Sequence, residues 1–246
     1  MAFGDRALDV EVDGSAVTSF WMPVGGLRVS PVRISQRNGF HGLQFRINPL
    51  AARRVLGVPA AALSGAVAEF NELIMVQHER LAELDWPQRF ETLEDGLIRA
   101  AANHDANADT YPELPQAWSL IMTSHGRLRI ATCADQVGWS RRLLSGRFSG
   151  EFGISPKDLA RLARLRRCQI LAVEGLPLAE AAVQSGFADQ PHMTRDWSAL
   201  TGKTPRTWLQ DLDRHAHIKY LDSTPTDGRT DLGPVPRSCC NRGPRS

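Results

Sequence analysis

The side chains best equipped for chemistry in this sequence stand just after two glycine turns. Arg141 and Arg142 follow Gly138-Trp139-Ser140, and Gln190, Pro191, Thr194 and Arg195 follow Gly186-Phe187-Ala188-Asp189. An arginine fork can grip guanine O6 and N7 with two hydrogen bonds, worth about 1–3 kcal/mol of discrimination, and it fits a phosphate as well. That is the chemistry of recognition, not of bond making. A metal centre needs closely spaced histidines and carboxylates, whereas His41, His78, His104 and His125 are scattered singly. The sequence has no phosphate-binding glycine loop and no nucleophile elbow. No catalytic residue, metal ligand or cofactor is therefore expected, and the chain is not read as an enzyme.

Such residues need a scaffold that presents them on one face, and the flanking sequence supplies it twice. Ile130 to Val137 reads as a short helix, Gly138-Trp139 as a turn, Ser140 as an N-cap, and Arg141 to Phe148 as a second helix. Leu178 to Ser185, the turn from Gly186, the N-cap Asp189 and the helix Gln190 to Leu200 repeat the same order. This is helix-turn-helix grammar. The glycine in each turn answers a need for left-handed backbone that a side chain resists. Trp139 and Phe187 are placed to plug the angle between the helices of each unit. Ser155-Pro156 opens a long helix reaching about Val173, and its apolar residues are not confined to one stripe. It reads as a rod clasped between two lobes, with cores expected around Trp118, Leu144 and Phe148 and around Val183, Phe187 and Trp197. Two recognition helices joined by such a rod would suit successive major grooves of B-DNA, about 34 Å apart.

Charge agrees with this division. Residues 1–125 hold 10 Lys and Arg against 15 Asp and Glu, whereas residues 126–214 hold 14 against 9. Only the second piece is built to meet a polyanion. The first third has strand character at Ala16–Trp21, Leu27–Ile34 and Gly42–Ile47. Helices follow at Leu50–Leu56, Glu72–Leu84 and Pro87–Ala102. Asn103–Pro115 reads as a polar linker, and the tail 222–246, dense in Pro, Gly, Ser and charge, as disordered. No run of apolar residues is long enough to span a membrane. Met1–Val10 lacks the apolar stretch of a signal peptide, so a cytoplasmic location is expected. Cys133 and Cys168 read as small buried residues of a reducing compartment, with no pairing implied by their spacing or by that of Cys239 and Cys240. The fold class expected is α+β: a small β-rich front domain with helices at 1–105, and an all-α double helix-turn-helix domain at 113–214.

The stretch from Gly126 to about Leu209 resembles the DNA-binding domain of the AraC/XylS family of bacterial transcription regulators. The resemblance rests on Ala182, Gly186, Phe187, His192, Arg195, Trp197, Gly202 and Pro205 in the second half. In the first half it rests on Ala134, Gly138, Ser140, Leu144, Phe148, Gly153, Ser155, Pro156, Arg164 and Leu165. Ahead of it, Ser19 to about Leu84 is similar to the degenerate β-rich sensor domain of one branch of that family, most closely at Leu50 to Ala61. That branch usually carries more sequence before the equivalent of Ser19.

The resemblance implies a sequence-specific transcription regulator. With Leu144 and Phe148 turned inward, Arg141, Arg142, Ser145 and Gly146 occupy the family's base-reading face, and Ser140 is counted with them. Gly146 departs from the polar residue usual there and offers nothing to read with. In the second unit Gln190 and Arg195 are the expected readers. Pro191 shares their face without a donor, Thr194 is available for a base or a phosphate, and Lys203 and Arg206 are phosphate clamps. His192 is given a structural or phosphate role. Trp197 stands where phenylalanine is more usual, as a core residue. Double-stranded DNA is the main partner, with RNA polymerase and a second copy of the chain as further partners the resemblance brings; the effector is left open. Two rivals are a cupin-like metalloenzyme domain fused to a DNA-binding module and a non-specific DNA-bending protein.

Overall fold

The computed structural model describes residues 1–2, 7–12, 14–35, 42–70, 76–104 and 111–214. The expected tail 222–246, residues 105–110 of the linker, His41, Leu73, Cys239 and Cys240 lie outside the described residues.

Alternation in Leu8-Asp9-Val10-Glu11-Val12 turns Leu8 and Val10 inward along strand β1 (Leu8–Val12). β1 runs antiparallel between β2 (Thr18–Phe20) and β4 (Val32–Ser35), with Val10 opposite Thr18 on one side and Ile34 on the other. A second ribbon pairs β3 (Pro23–Gly25) with β5 (Val67–Glu69). The Glu69 carboxylate accepts from the backbone N–H groups of Trp21 and Met22, at 2.7 and 2.9 Å, and pins the corner before β3.

Two expected strands fare differently. In Leu27–Ile34 only the end pairs, because Pro31 has no N–H for a ladder and Leu27 and Val29 are used elsewhere, as described below. In Gly42–Ile47 only Gly42 forms a bridge, to Ala2. The rest lines a cavity of ≈ 440 Å³ with Val24, Leu27, Leu56, Leu63 and Phe70.

Asn48 caps a 3-10 turn at Pro49–Ala51 that continues as helix α1 (Ala52–Leu56) and ends at Gly57, as its N-cap, proline and glycine require. Two more helices, α2 (His78–Glu83) and α3 (Trp86–Asn103), close the front part. The buried line of α3 is Arg89, Leu93, Gly96 and Ala100. Phe90, one position off that line, is 52% exposed. The buried Arg89 guanidinium donates to the carbonyls of Leu81 and Ala82, satisfying the open C-terminal end of α2.

The remaining chain is helical: α4 (Glu113–Thr123), α5 (Ile130–Gln136), α6 (Arg141–Phe152), α7 (Pro156–Val173), α8 (Leu178–Gln184), α9 (Gln190–Thr201) and α10 (Pro205–Arg214). A Ser155/Asp158 capping box and Pro156 start α7, the central rod. Its first half buries Leu159 and Ala160 in a core with Trp118, Cys133, Leu144, Phe148 and Phe152. Its second half buries Leu165, Cys168, Leu171 and Ala172 in another core with Phe187, Met193 and Trp197. One rod therefore serves two lobes, which is why its apolar residues occupy more than one face. Val183, expected in the second core, is 64% exposed. On α8 the small residues Ala181 and Ala182 face the core, and at about 100° per residue the next position turns outward.

The front part lies against the helical part. Leu27 and Val29 pack on the first core, and Pro31 sits over Gly202, where a Cβ would come within 3.3 Å of it. The Arg53 Nε donates to both Glu151 carboxylate oxygens at 2.9 Å, and its Nη2 lies 2.9 Å from Oε2. Nearby, the Ser64 hydroxyl donates to the Gly153 carbonyl at 3.0 Å. Gly153 closes α6 in the left-handed conformation, and any side chain there would run into Ser64.

Candidate nucleic-acid interface

Each unit builds its outer face by the same local means. Ser140 caps α6 by accepting from the Leu143 N–H at 3.2 Å, and Asp189 caps α9 by accepting from the His192 N–H at 2.7 Å. Gly138 and Gly186 take φ of 75° and 85° in the turns before them, the left-handed backbone expected there. The following aromatics anchor the turns: Phe187 is buried in the second core, and Trp139 is half-buried against the first.

Helical periodicity then divides the two helices. On α6, Leu144, Phe148 and Phe152 face the core while Arg141, Arg142, Ser145 and Gly146 are exposed. On α9, Met193 and Trp197 are inside, Gln190, Pro191 and Arg195 are exposed, and Thr194 is half-buried. Arg195 Nε points back to the Pro191 carbonyl at 3.4 Å, and His192 packs edge-on against Phe187. The oxygen of Ser140 is occupied as a cap. Lys203 is held in an ion pair with Asp211 at 2.7 Å, whereas Arg206 stands exposed in the first turn of α10.

Two arginines on the rod hold the units together. Arg161 donates to Asp196 of α9 at 2.9 Å and lies 3.7 Å from Asp158. The hydrogen bond to Asp196 strengthens its hold on its proton, so this cation is permanent. Arg164 donates to the Gly126 carbonyl at 3.0 Å, in the turn before the first unit, and its guanidinium lies 5.7 Å from the Phe187 ring of the second. Burial works against its charge, so its partners must hold it in place. Burial likewise raises the thiol pKa values of Cys133 and Cys168, which are fully enclosed and behave as small apolar residues.

Two residues absent from the sequence reading share the outer face of α6. Leu143 is 43% exposed, and with Ser140, Arg142, Gly146 and Arg147 it lines a shallow hollow. The Arg147 guanidinium stacks over the Tyr111 ring at 4.4 Å, and that ring meets Trp139 edge-on at 5.7 Å. Tyr111 falls in the stretch read as linker, so nothing local in the sequence joined it to α6. Among the described residues, no ion pair involves Arg141, Arg142 or Arg147, so the cations of this face stand without carboxylate neutralisation. Also among the described residues, no group of three His, Cys, Asp or Glu side chains could hold a metal ion, and no helix is long and apolar enough to cross a membrane.

Residues 133–211 match the family model described as a helix-turn-helix domain. Among solved structures, the chain is similar to the C-terminal domain of AraT, a response regulator from Geobacillus stearothermophilus, with 22% identity over 42% of this chain and 88% of that one and a TM-score of 0.39. No match is found among curated proteins.

Proposed function

We propose that this chain, whose residues 133–211 match a helix-turn-helix domain, is a DNA-binding transcription regulator of the AraC type that binds duplex DNA sequence-specifically, laying α6 and α9 into successive major grooves. One observation carries this reading: each recognition helix is buried on one side and exposes polar or cationic residues on the other, and both are fixed to one rod. Arg141, Arg142 and Ser145 of the first unit, and Gln190, Thr194 and Arg195 of the second, are the base-facing candidates. Ser140 positions the first helix, Pro191 forms the start of the second, and Arg206 with Lys203 meets the phosphate backbone. The front part then acts as the signal-receiving or self-associating piece. Its cavity of ≈ 440 Å³ falls in the size range of small-molecule sites and supports the first of those roles. Contact with RNA polymerase and a cytoplasmic location belong to the same reading.

Selection from a random duplex pool tests the proposal, followed by competition between the selected site and scrambled duplex over a range of salt. The selected site should win by about 10³-fold or more, with affinity falling steeply as salt rises. Equal competition by scrambled duplex at physiological salt would overturn specific regulation and favour the reading as a non-specific DNA-bending protein.

A further inference from the structure

A leucine standing 43% exposed is ordinary on any surface, but Leu143 is exposed in particular company. It lines a hollow on the outer face of α6, between Arg142 and Arg147 and beside Gly146. A Cβ at Gly146 would have no heavy atom within 4 Å, so the hollow is open where a longer side chain would fill it. The Leu143 N–H is held by the Ser140 cap, which fixes the first turn of α6 and the direction in which this leucine projects. An apolar surface between cations matches one feature of a nucleic acid groove, the 5-methyl group of thymine, flanked by the phosphates of its strand.

Arg147 is built to meet such a phosphate. Its guanidinium lies 4.4 Å above the Tyr111 ring, which holds the plane by cation–π attraction and leaves the N–H edge available. Tyr111 is itself braced edge-on against Trp139, and Trp139 packs on the first core. The brace reduces the side-chain entropy that a long arginine would otherwise lose on binding.

We infer that the hollow over Gly146 receives one thymine nucleotide of the duplex, with Leu143 against the 5-methyl group and Arg147, propped on Tyr111, on the adjoining phosphate. Tyr111 is then a positioning residue contributed by the chain ahead of the helix-turn-helix units. The inference rests on the DNA-binding reading above and names the specificity of that site.

The test uses the full-length protein and the duplex that it selects. Replacing each thymidine in turn by deoxyuridine removes only the methyl group. At one position the wild-type protein should lose about fourfold in affinity, the worth of one buried methyl, and Leu143→Ala should bind the two duplexes equally. Arg147→Ala and Tyr111→Ala should each weaken binding to all sequences and lower the salt slope by about 1, and Tyr111→Phe, which keeps the ring face, should restore most of the loss. If no thymine methyl distinguishes wild type from Leu143→Ala, the nucleotide assignment is wrong. An unchanged salt slope in Arg147→Ala overturns the phosphate contact. Both failures are distinct from failure of the parent reading, in which the wild-type protein would select no duplex at all.

Discussion

Arg142 and Lys203 carry the same charge in different surroundings, and the difference sets what each can do. Arg142 is exposed on the outer face of α6 with no carboxylate partner among the described residues, whereas Lys203 already spends its charge on Asp211 at 2.7 Å. Arg142→Ala should relax preference at one or two base positions by about 1–3 kcal/mol. Lys203→Ala should weaken binding to every sequence about equally, and by less than Arg206→Ala, because leaving Asp211 offsets part of any gain from a phosphate. Selection with each variant and salt titration of its affinity measure the two effects. An unchanged base preference in both Arg141→Ala and Arg142→Ala would remove α6 as a reading helix.

At the scale of the element, α6 is a helix built for presentation at some cost to its own stability. Gly146 and Gly150 both lie within it, and a Cβ at either would meet nothing within 4 Å. Glycine in a helix interior is disfavoured against alanine by roughly 0.5–1 kcal/mol, so Gly150→Ala should stabilise the protein by about that amount. Urea unfolding would show this as a raised midpoint at unchanged slope. Gly146→Ala should stabilise similarly while narrowing the hollow beside Leu143, so the two variants part in DNA binding though they agree in stability. The rod α7 shows the opposite design, with a capping box at its start and buried residues on several sides, because both lobes depend on it.

At the scale of the whole molecule, contacts that couple the two parts include Leu27 and Val29 on the first core, Pro31 over Gly202, Arg53 on Glu151, and Ser64 on Gly153. The Arg53–Glu151 pair is largely shielded, with side-chain exposures of 29% and 10%. Losing one partner strands a charge, so Arg53→Ala should destabilise by about 1–3 kcal/mol. A double-mutant cycle with Glu151→Ala should recover a coupling energy of at least about 0.5 kcal/mol. We propose that residues 113–214 fold on their own, since both helical cores are assembled almost wholly from them. The fragment 113–246 should keep the base preference of the intact chain but bind every sequence more weakly, because it lacks the Tyr111 prop of Arg147, and melt at a lower temperature, because Leu27 and Val29 no longer cover the first core. Circular dichroism melting and DNA binding of the fragment decide it, and an unfolded fragment would make the two parts one inseparable unit.

The sequence alone determined the features that depend on short-range rules. Ser140, Ser155 and Asp189 were legible as caps, Gly138 and Gly186 as turn glycines, and Leu144, Phe148 and Trp197 as inward residues, because each follows from steric preference or the 3.6-residue period within one element. The double helix-turn-helix order and the two-lobed rod were readable for the same reason. What tertiary structure decided is everything that joins residues far apart in the chain. Leu27 and Val29 carry strand-like character yet pack on a helical core, and Val183 looks apolar enough for a core that Ala181 and Ala182 already fill. Glu151 finds its partner 98 residues earlier in the chain, at Arg53. Tyr111 becomes the prop for Arg147 only once α4 and α6 are packed. Local propensity acts through neighbouring backbone dihedrals and fades within a few residues, whereas a contact between distant segments is chosen by the shape and polarity of surfaces that exist only after folding.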